Sequence, residues 1–178
     1  MRIIGGNFKG RRFEPPRNIS ARPTTDFAKE GLFNILNNQI DFEETTVLDL
    51  FAGIGSIGLE LASRGCPAVT MIERSEPHIR FIHKVISELG ADTVSVIRGD
   101  VFRFLRSCSQ KFDLIFADPP YELAELPTLP DLIFEQKLLA EDGIFILEHP
   151  KKYSFSEHKN FDSHRSYGNV QFSWFSNR

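Results

Sequence analysis

Cysteine is nearly absent from this chain. Among 178 residues there are two, Cys66 and Cys108, too few for a disulfide framework or a thiolate zinc cluster, so both are expected as free thiols. The five histidines, His78, His83, His149, His158 and His164, lack the close pairing of a metal site, and no metal is expected. Long apolar runs are missing too. No stretch approaches the ~18 residues that a membrane span needs, and the opening "MRIIGGNFKGRR" lacks the apolar core of a secretory signal. These absences argue against a secreted scaffold, a metal enzyme and a membrane protein, and leave a cytoplasmic protein as the expectation. No repeat, low-complexity tract or linker interrupts the sequence. With 41% hydrophobic and 25% charged residues, residues 1–178 are expected to form one domain with a sizeable core.

Net charge is small but unevenly placed. The formal net charge is -3, yet residues 1–22 hold Arg2, Lys9, Arg11, Arg12, Arg17 and Arg22 against Glu14 alone, a balance of +5 that leaves -8 for the rest. A basic arm on an acidic body suits a polyanion bound at one end, with Arg11, Arg12, Arg17 and Arg22 as its contacts. The competing reading is a solvated hairpin whose charges only aid solubility.

The arm "RIIGGNFKGRRFEPP" reads as two short strands around "NFKG", stopped by Pro15 and Pro16. A helix follows in "RPTTDFAKEGLFNILNNQI", where Thr24, Thr25 and Asp26 are capping candidates and Ala28, Leu32, Ile35 and Leu36 recur at helical spacing. From Thr45 onward strands and helices alternate. "TTVLDLF", "AVTMIE", "TVSVIRG", "FDLIFAD" and "GIFILEH" are β-rich, while "SIGLELASRG", "PHIRFIHKVISELG", "VFRFLRSC" and "DLIFEQKLLAE" carry helical periodicity. That order specifies a doubly wound α/β fold, a parallel sheet covered on both faces. The tail segments "KKYSF", "SHRSYG" and "NVQFSWF" read as short strands around "YGN", an antiparallel finish to the same sheet.

Between the first strand and its helix, "VLDLFAGIGSIGLE" holds Gly53, Gly55 and Gly58 as G-x-G-x-x-G, with Glu73 twenty residues beyond the first glycine. Alone this resembles a dinucleotide fingerprint, but any tight strand-to-helix turn favours glycines. Asp49 discriminates. Its carboxylate would repel a pyrophosphate and attract an ammonium. S-adenosylmethionine has an ammonium and no phosphate, so Asp49 favours it over NAD. Glu73 can accept both ribose hydroxyls of either ligand. Asp100, in "IRGDVF", can accept from an adenine amino group while the Val101 N–H donates to a ring nitrogen, although Asp100 also suits a helix N-cap.

The most informative stretch is "FDLIFADPPY", an apolar strand ending in Asp118-Pro119-Pro120-Tyr121. Two prolines fix φ and remove two backbone donors, so carbonyls there face the crevice without competing N–H groups. The amino group of a nucleobase is a poor nucleophile because its lone pair is delocalised. Accepting its two protons on the Asp118 carboxylate and the Pro119 carbonyl would orient it toward a sulfonium methyl. Tyr121 could stack on the flipped base.

"MRIIGGNFKGRRF", "RPTTDFAKEGLFNIL", "VLDLFAGIGSIGLELASRG", "FDLIFADPPY" and "YGNVQFSWF" together resemble, in order and along nearly the whole chain, the RsmD family of bacterial methyltransferases. The resemblance implies a Rossmann-like methyltransferase fold and methyl transfer from S-adenosylmethionine to the exocyclic N2 of a guanine in small-subunit (16S) ribosomal RNA. It further implies a monomer acting on the assembling small subunit. Asp49, Phe51, Gly53 and Gly55 would hold the cofactor's amino-acid end, Glu73 its ribose and Asp100 its adenine. Asp118 to Tyr121 would receive the guanine, and Thr24 and Thr25 would close the cofactor site. One departure is Val85, where many members have asparagine. The residue-level alternatives are an adenine-N6 or cytosine-N4 methyltransferase, an NAD oxidoreductase, and a non-catalytic RNA-binding or assembly protein. Against a DNA enzyme, 178 residues leave no room for a separate target-recognition domain.

Overall fold

The computed structural model describes residues 1–19 and 24–177. Helix α1 covers Asp26–Leu36, followed by β1 (Thr46–Leu50), α2 (Ser56–Ser63), β2 (Ala68–Glu73), α3 (Glu76–Leu89), β3 (Val94–Arg98), α4 (Val101–Ser107), β4 (Phe112–Ala117) and α5 (Leu129–Glu135). Strands β5 (Leu139–His149), β6 (Phe161–Tyr167) and β7 (Val170–Ser176) complete the order. The seven strands form one sheet in the sequence β3-β2-β1-β4-β5-β7-β6. The first five are parallel, and β7 enters antiparallel between β5 and β6. The doubly wound α/β expectation with an antiparallel finish is met.

Central strands read as near-continuous apolar runs because both faces are covered. Val47 and Leu48, neighbours on β1, point to opposite sides and are both fully buried. One core packs α1, α2 and α3 on the sheet; the other packs α4 and α5 against its reverse. Because β2 and β3 lie to one side of β1 while β4 and β5 lie to the other, the chain reverses direction between β1 and β4. Such a switch point opens a crevice at the carboxyl ends of the strands.

Three local expectations are corrected. The arm does not form two strands; Arg2 and Arg12 make an isolated bridge. Its limbs still pair around that bridge, with the Ile3 N–H donating to the Arg11 carbonyl (3.0 Å), Gly10 N–H to Ile3 O (2.8 Å) and Phe13 N–H to Met1 O (3.0 Å). Other backbone groups are given to α2: the Ile4 N–H donates to Glu60 Oε2 (2.9 Å), Asn7 N–H to Ser63 O (2.6 Å) and Phe8 N–H to Ser63 Oγ (2.9 Å). A side chain at Gly6, whose φ is +71°, would overlap the Ser63 carbonyl, so glycine is required for that approach. Second, the helix expected through "DLIFEQKLLAE" stops at Glu135. Lys137 turns left-handed (φ 53°), and Leu139 pairs with Phe112 in the sheet, so burial and pairing override helical periodicity. Third, "KKYSF" lies outside the strands, whereas β6 and β7 join through Gly168-Asn169 with Gly168 at φ +64°, a glycine position typical of two-residue hairpins.

Candidate active site at the carboxyl edge of the sheet

Five acidic residues stand at or just beyond the carboxyl ends of five adjacent strands. In sheet order they are Asp100 after β3, Glu73 ending β2, Asp49 in β1, Asp118 after β4 and Glu148 in β5. Parallel register explains the alignment, since Leu50 pairs with Ile72 on one side and Ala117 on the other. The Asp118 N–H faces the Leu50 carbonyl at 3.5 Å, holding the β4 exit against the β1 exit. An edge of this sign disfavours a bound phosphate.

The glycine loop is strained and clamped. Phe51, Gly53 and Gly55 have φ of 60°, 58° and 81°. For Phe51 that conformation costs about 1 kcal/mol or more, and its ring is steadied by Phe102 at 6.3 Å. Glu73 anchors the loop: Oε2 accepts the Gly53 N–H at 2.8 Å, and Oε1 accepts those of Arg74 and Ser75 at 3.0 and 2.8 Å. The carboxylate predicted to take two ribose hydroxyls thus already holds three backbone donors.

Helix α2 begins without a side-chain cap at Gly55. Asp49 substitutes from β1, accepting the Gly58 N–H on Oδ2 at 2.9 Å. A side chain at Gly58 would strike Met71 and come within 2.9 Å of that oxygen, so the third glycine serves helix-to-strand packing. Asp49 is buried, and burial pushes its carboxyl up to about 7; the Gly58 N–H opposes the shift and the nearby Glu73 charge adds to it. A buried carboxyl in this state gains from a cation brought beside it.

On the other side of the switch point, Tyr121 Oη donates to Glu148 Oε1 at 3.0 Å and Thr24 Oγ1 donates to Glu148 Oε2 at 3.3 Å. Glu148 therefore ties the approach to α1 to the end of "DPPY". The sequence reading missed it, although an acid ending the apolar run "GIFILEH" was a readable signal. Thr24 and Thr25 are adjacent but diverge: Thr25 caps α1 through the Ala28 N–H at 3.2 Å, and Thr24 engages the Tyr121 side. Asp100 caps α4 through the Arg103 N–H at 2.9 Å, and the Val101 side chain is buried.

Arg11, Arg12 and Arg17 are exposed, with Arg11 5.5 Å from the Phe13 ring centre. Arg22 lies outside the described residues. Among the described residues no group of three or more histidine, cysteine, aspartate or glutamate side chains is placed to hold a metal ion, and no helix is long and apolar enough to cross a membrane.

Ribosomal RNA small subunit methyltransferase D of Escherichia coli K12 is 32% identical over 148 residues, covering 83% of this chain and 74% of that protein. A hypothetical protein of Thermus thermophilus superposes with a TM-score of 0.88 at 27% identity, covering 99% of both chains. A Salinibacter ruber RNA methyltransferase solved with S-adenosyl-L-homocysteine shares the fold at a TM-score of 0.67 and 17% identity, over 87% of this chain and 93% of that one. The profile of the family described as Conserved hypothetical protein 95 matches residues 1–176, and the chain belongs to that family, the RsmD family its motifs resemble.

Proposed function

We propose that this protein transfers the methyl group of S-adenosylmethionine to the exocyclic N2 amine of a guanine in small-subunit ribosomal RNA. The observation that carries the proposal is the switch point itself, where the Asp49 glycine loop and Asp118-Pro119-Pro120-Tyr121 meet at neighbouring strand ends. Kinship with the Escherichia coli ribosomal RNA small subunit methyltransferase D supports the substrate class.

The residues present fit this cofactor. A buried carboxyl awaiting a cation, an α2 N-terminus whose N–H groups suit a carboxylate, and an acidic edge together suit a ligand with an amino-acid end and no phosphate. Asp49 holds the ammonium end. Glu73 keeps the glycine loop in shape and would accept the ribose hydroxyls, and Asp100 with the Val101 N–H would meet the adenine. When bound, S-adenosylmethionine supplies an electrophilic methyl on a sulfonium. Asp118 and the Pro119 carbonyl accept the two N2 protons and aim the nitrogen lone pair; as the N–C bond forms and the C–S pair stays with sulfur, Asp118 takes one proton. Tyr121, its hydroxyl fixed by Glu148, presents its ring to the extruded base. The acidic edge cannot hold RNA phosphates, so Arg11, Arg12 and Arg17 supply that attraction, with Arg22 added from the sequence.

Mass spectrometry of ribosomal RNA from a deletion strain is the test. One N2-methylguanosine should vanish and return on complementation; an unchanged map overturns the substrate. Thermal shift should show stabilisation by S-adenosylmethionine and S-adenosylhomocysteine, and stabilisation by NAD alone overturns the chemistry.

A further inference from the structure

Phe27 is 66% exposed, the most exposed large apolar side chain among the described residues. It lies outside the buried face of α1, which uses Ala28, Leu32, Phe33 and Leu36. Along the helix, Phe27, Gly31 and Asn34 repeat at spacings of four and three, so they share one outer face, and Asn38 lies beside them in the turn that follows. Opposite them stands Tyr167, the last residue of β6. Together with Glu30 these residues line an open hollow of roughly 480 Å³.

The hollow is built. The Tyr167 ring lies directly on the α1 backbone, where a Cβ at Gly31 would overlap it. Phe172 steadies that ring from the sheet side at 6.0 Å, and Phe27 meets it edge-on at 5.8 Å and 79°. Two aromatic rings thus border a site whose rim carries the Asn34 and Asn38 side-chain amides and the Glu30 carboxylate. Phosphate is the wrong occupant, because Glu30 lines the hollow and the adjacent Arg2 is engaged by Asp26 at 3.0 Å and Glu30 at 3.5 Å. The Asn38 amide nitrogen is held by the Asn34 carbonyl at 3.0 Å and Glu30 by Arg2, but a purely apolar occupant would strip water from their remaining donor and acceptor positions. A nucleobase satisfies both halves: it has a π-face for the rings and a donor–acceptor edge for amides and carboxylate.

Its place in the fold supplies the rest. β6 runs in the direction of β5 because β7 is antiparallel to both, so Tyr167 sits at the same carboxyl edge as the "DPPY" crevice. Phe27 is three residues from Thr24, whose hydroxyl reaches Glu148 and through it Tyr121. We infer that the hollow between α1 and the β6–β7 turn seats an unpaired base of the RNA strand flanking the target guanine. This rests on the RNA methyltransferase reading above, and it adds a second point at which the strand is gripped.

The test measures methyl transfer to transcribed small-subunit ribosomal RNA and to small-subunit particles from a deletion strain, using wild type, Phe27→Ala, Phe27→Leu and Phe27→Tyr. Ultraviolet cross-linking with peptide mass spectrometry is applied to whichever substrate the wild type accepts. Phe27 is exposed, so all variants should fold and bind cofactor as wild type does. Phe27→Ala and Phe27→Leu should each raise the KM for RNA about tenfold with kcat retained, the loss of one stacked base. Phe27→Tyr should restore it, and the peptide containing Phe27 or Tyr167 should carry a nucleotide. An unchanged KM in Phe27→Ala, wild-type behaviour of Phe27→Leu, or a cross-link to a ribosomal protein in place of a nucleotide overturns the inference. A wild type that methylates neither substrate fails before any variant is compared, and overturns the RNA methyltransferase reading and the inference together.

Discussion

Two regions of this protein bury charge, and they treat it in opposite ways. Under the arm, Lys29 and Glu60 are 1% and 0% exposed and 3.1 Å apart. Lys29 also donates to the Arg2 carbonyl at 2.8 Å and Ser56 Oγ at 3.3 Å, while Glu60 accepts from the Ile4 N–H and from Arg64, whose guanidinium lies 4.4 Å from the Phe33 ring centre. Burial pulls the Lys29 ammonium below its usual range, and Glu60 offsets part of that. Within the crevice, Asp49 is equally buried but faces another carboxylate, Glu73, and its carboxyl is pushed up to about 7. The first charge is compensated by the protein; the second meets no counter-charge, as its proposed role toward a cationic ligand requires. Burial alone therefore does not mark a site, whereas burial without a counter-charge does.

The largest effect expected from breaking this contrast is at the crevice. Asp118→Ala removes an acceptor proposed to touch the base and not the cofactor, so turnover should fall by roughly 10³-fold or more while calorimetry shows cofactor affinity nearly intact. Equal loss of cofactor binding in Asp118→Ala and Asp49→Ala would mean that the two halves of the crevice have been exchanged.

Next comes the compensated pair. Removing one member of a buried ion pair costs about 3–5 kcal/mol, and Lys29→Met should fall near the lower end because Arg64 and the Ile4 N–H still satisfy Glu60. Urea unfolding checks the loss. Since Lys29 joins the Arg2 carbonyl to Ser56 at the start of α2, the same variant should loosen the arm, seen as faster amide exchange at Ile4. A variant as stable as wild type would show that Arg64 alone is enough for Glu60.

Asp49 gives the next prediction, which is one of pH. Below about 7 its carboxyl is protonated in the ligand-free protein, yet an ammonium requires the carboxylate. Cofactor affinity should therefore rise about tenfold per pH unit toward neutrality, with proton release on binding, and level off above it. Stability runs the other way. The unfolded chain loses this proton near the ordinary value of 3.8, so between there and about 7 the unfolded state is favoured as pH rises. Asp49→Asn keeps an acceptor for the Gly58 N–H and removes that penalty. It should be more stable than wild type above neutrality, bind cofactor weakly, and show a flat pH profile; a profile unchanged from wild type would free Asp49 of its assigned role.

Much of this was legible in the sequence, and what was not has a common cause. The alternation of periods from Thr45 onward specified the sheet because parallel strands buried on both faces leave an unmistakable apolar run. The placing of Asp49, Glu73 and Asp118 at the strand ends was readable because each follows or closes an apolar run of the parallel sheet. The arm's anchorage on α2 was hidden, since its partners there, Glu60 and Ser63, lie more than fifty residues away. The same holds for Glu148, whose meaning depends on Thr24 and Tyr121 arriving at its two oxygens, and for Phe27, which local pattern cannot separate from a core aromatic.

The smallest effect concerns the arm's exposed face, and it sharpens the comparison because the arm's buried face is so firmly fixed. Ile3 and Phe13 are buried and the Met1 amino group donates to the Phe13 carbonyl, so the arm presents Arg11 and Arg12 from an anchored backbone. An anchored arm loses little entropy on gripping RNA. If each arginine neutralises one phosphate, log affinity should fall with log salt by roughly 0.7 to 0.9 per contact. Changing both to Ala should lower that slope by about one to two units, weaken RNA binding severalfold at low salt, and leave both cofactor affinity and urea stability unchanged. The cofactor and stability controls separate charge from anchoring, because Lys29→Met should disturb stability as well as the arm. A double variant with the wild-type salt slope would put the phosphate contacts on the body of the protein and leave the arm as a brace for α1 and α2.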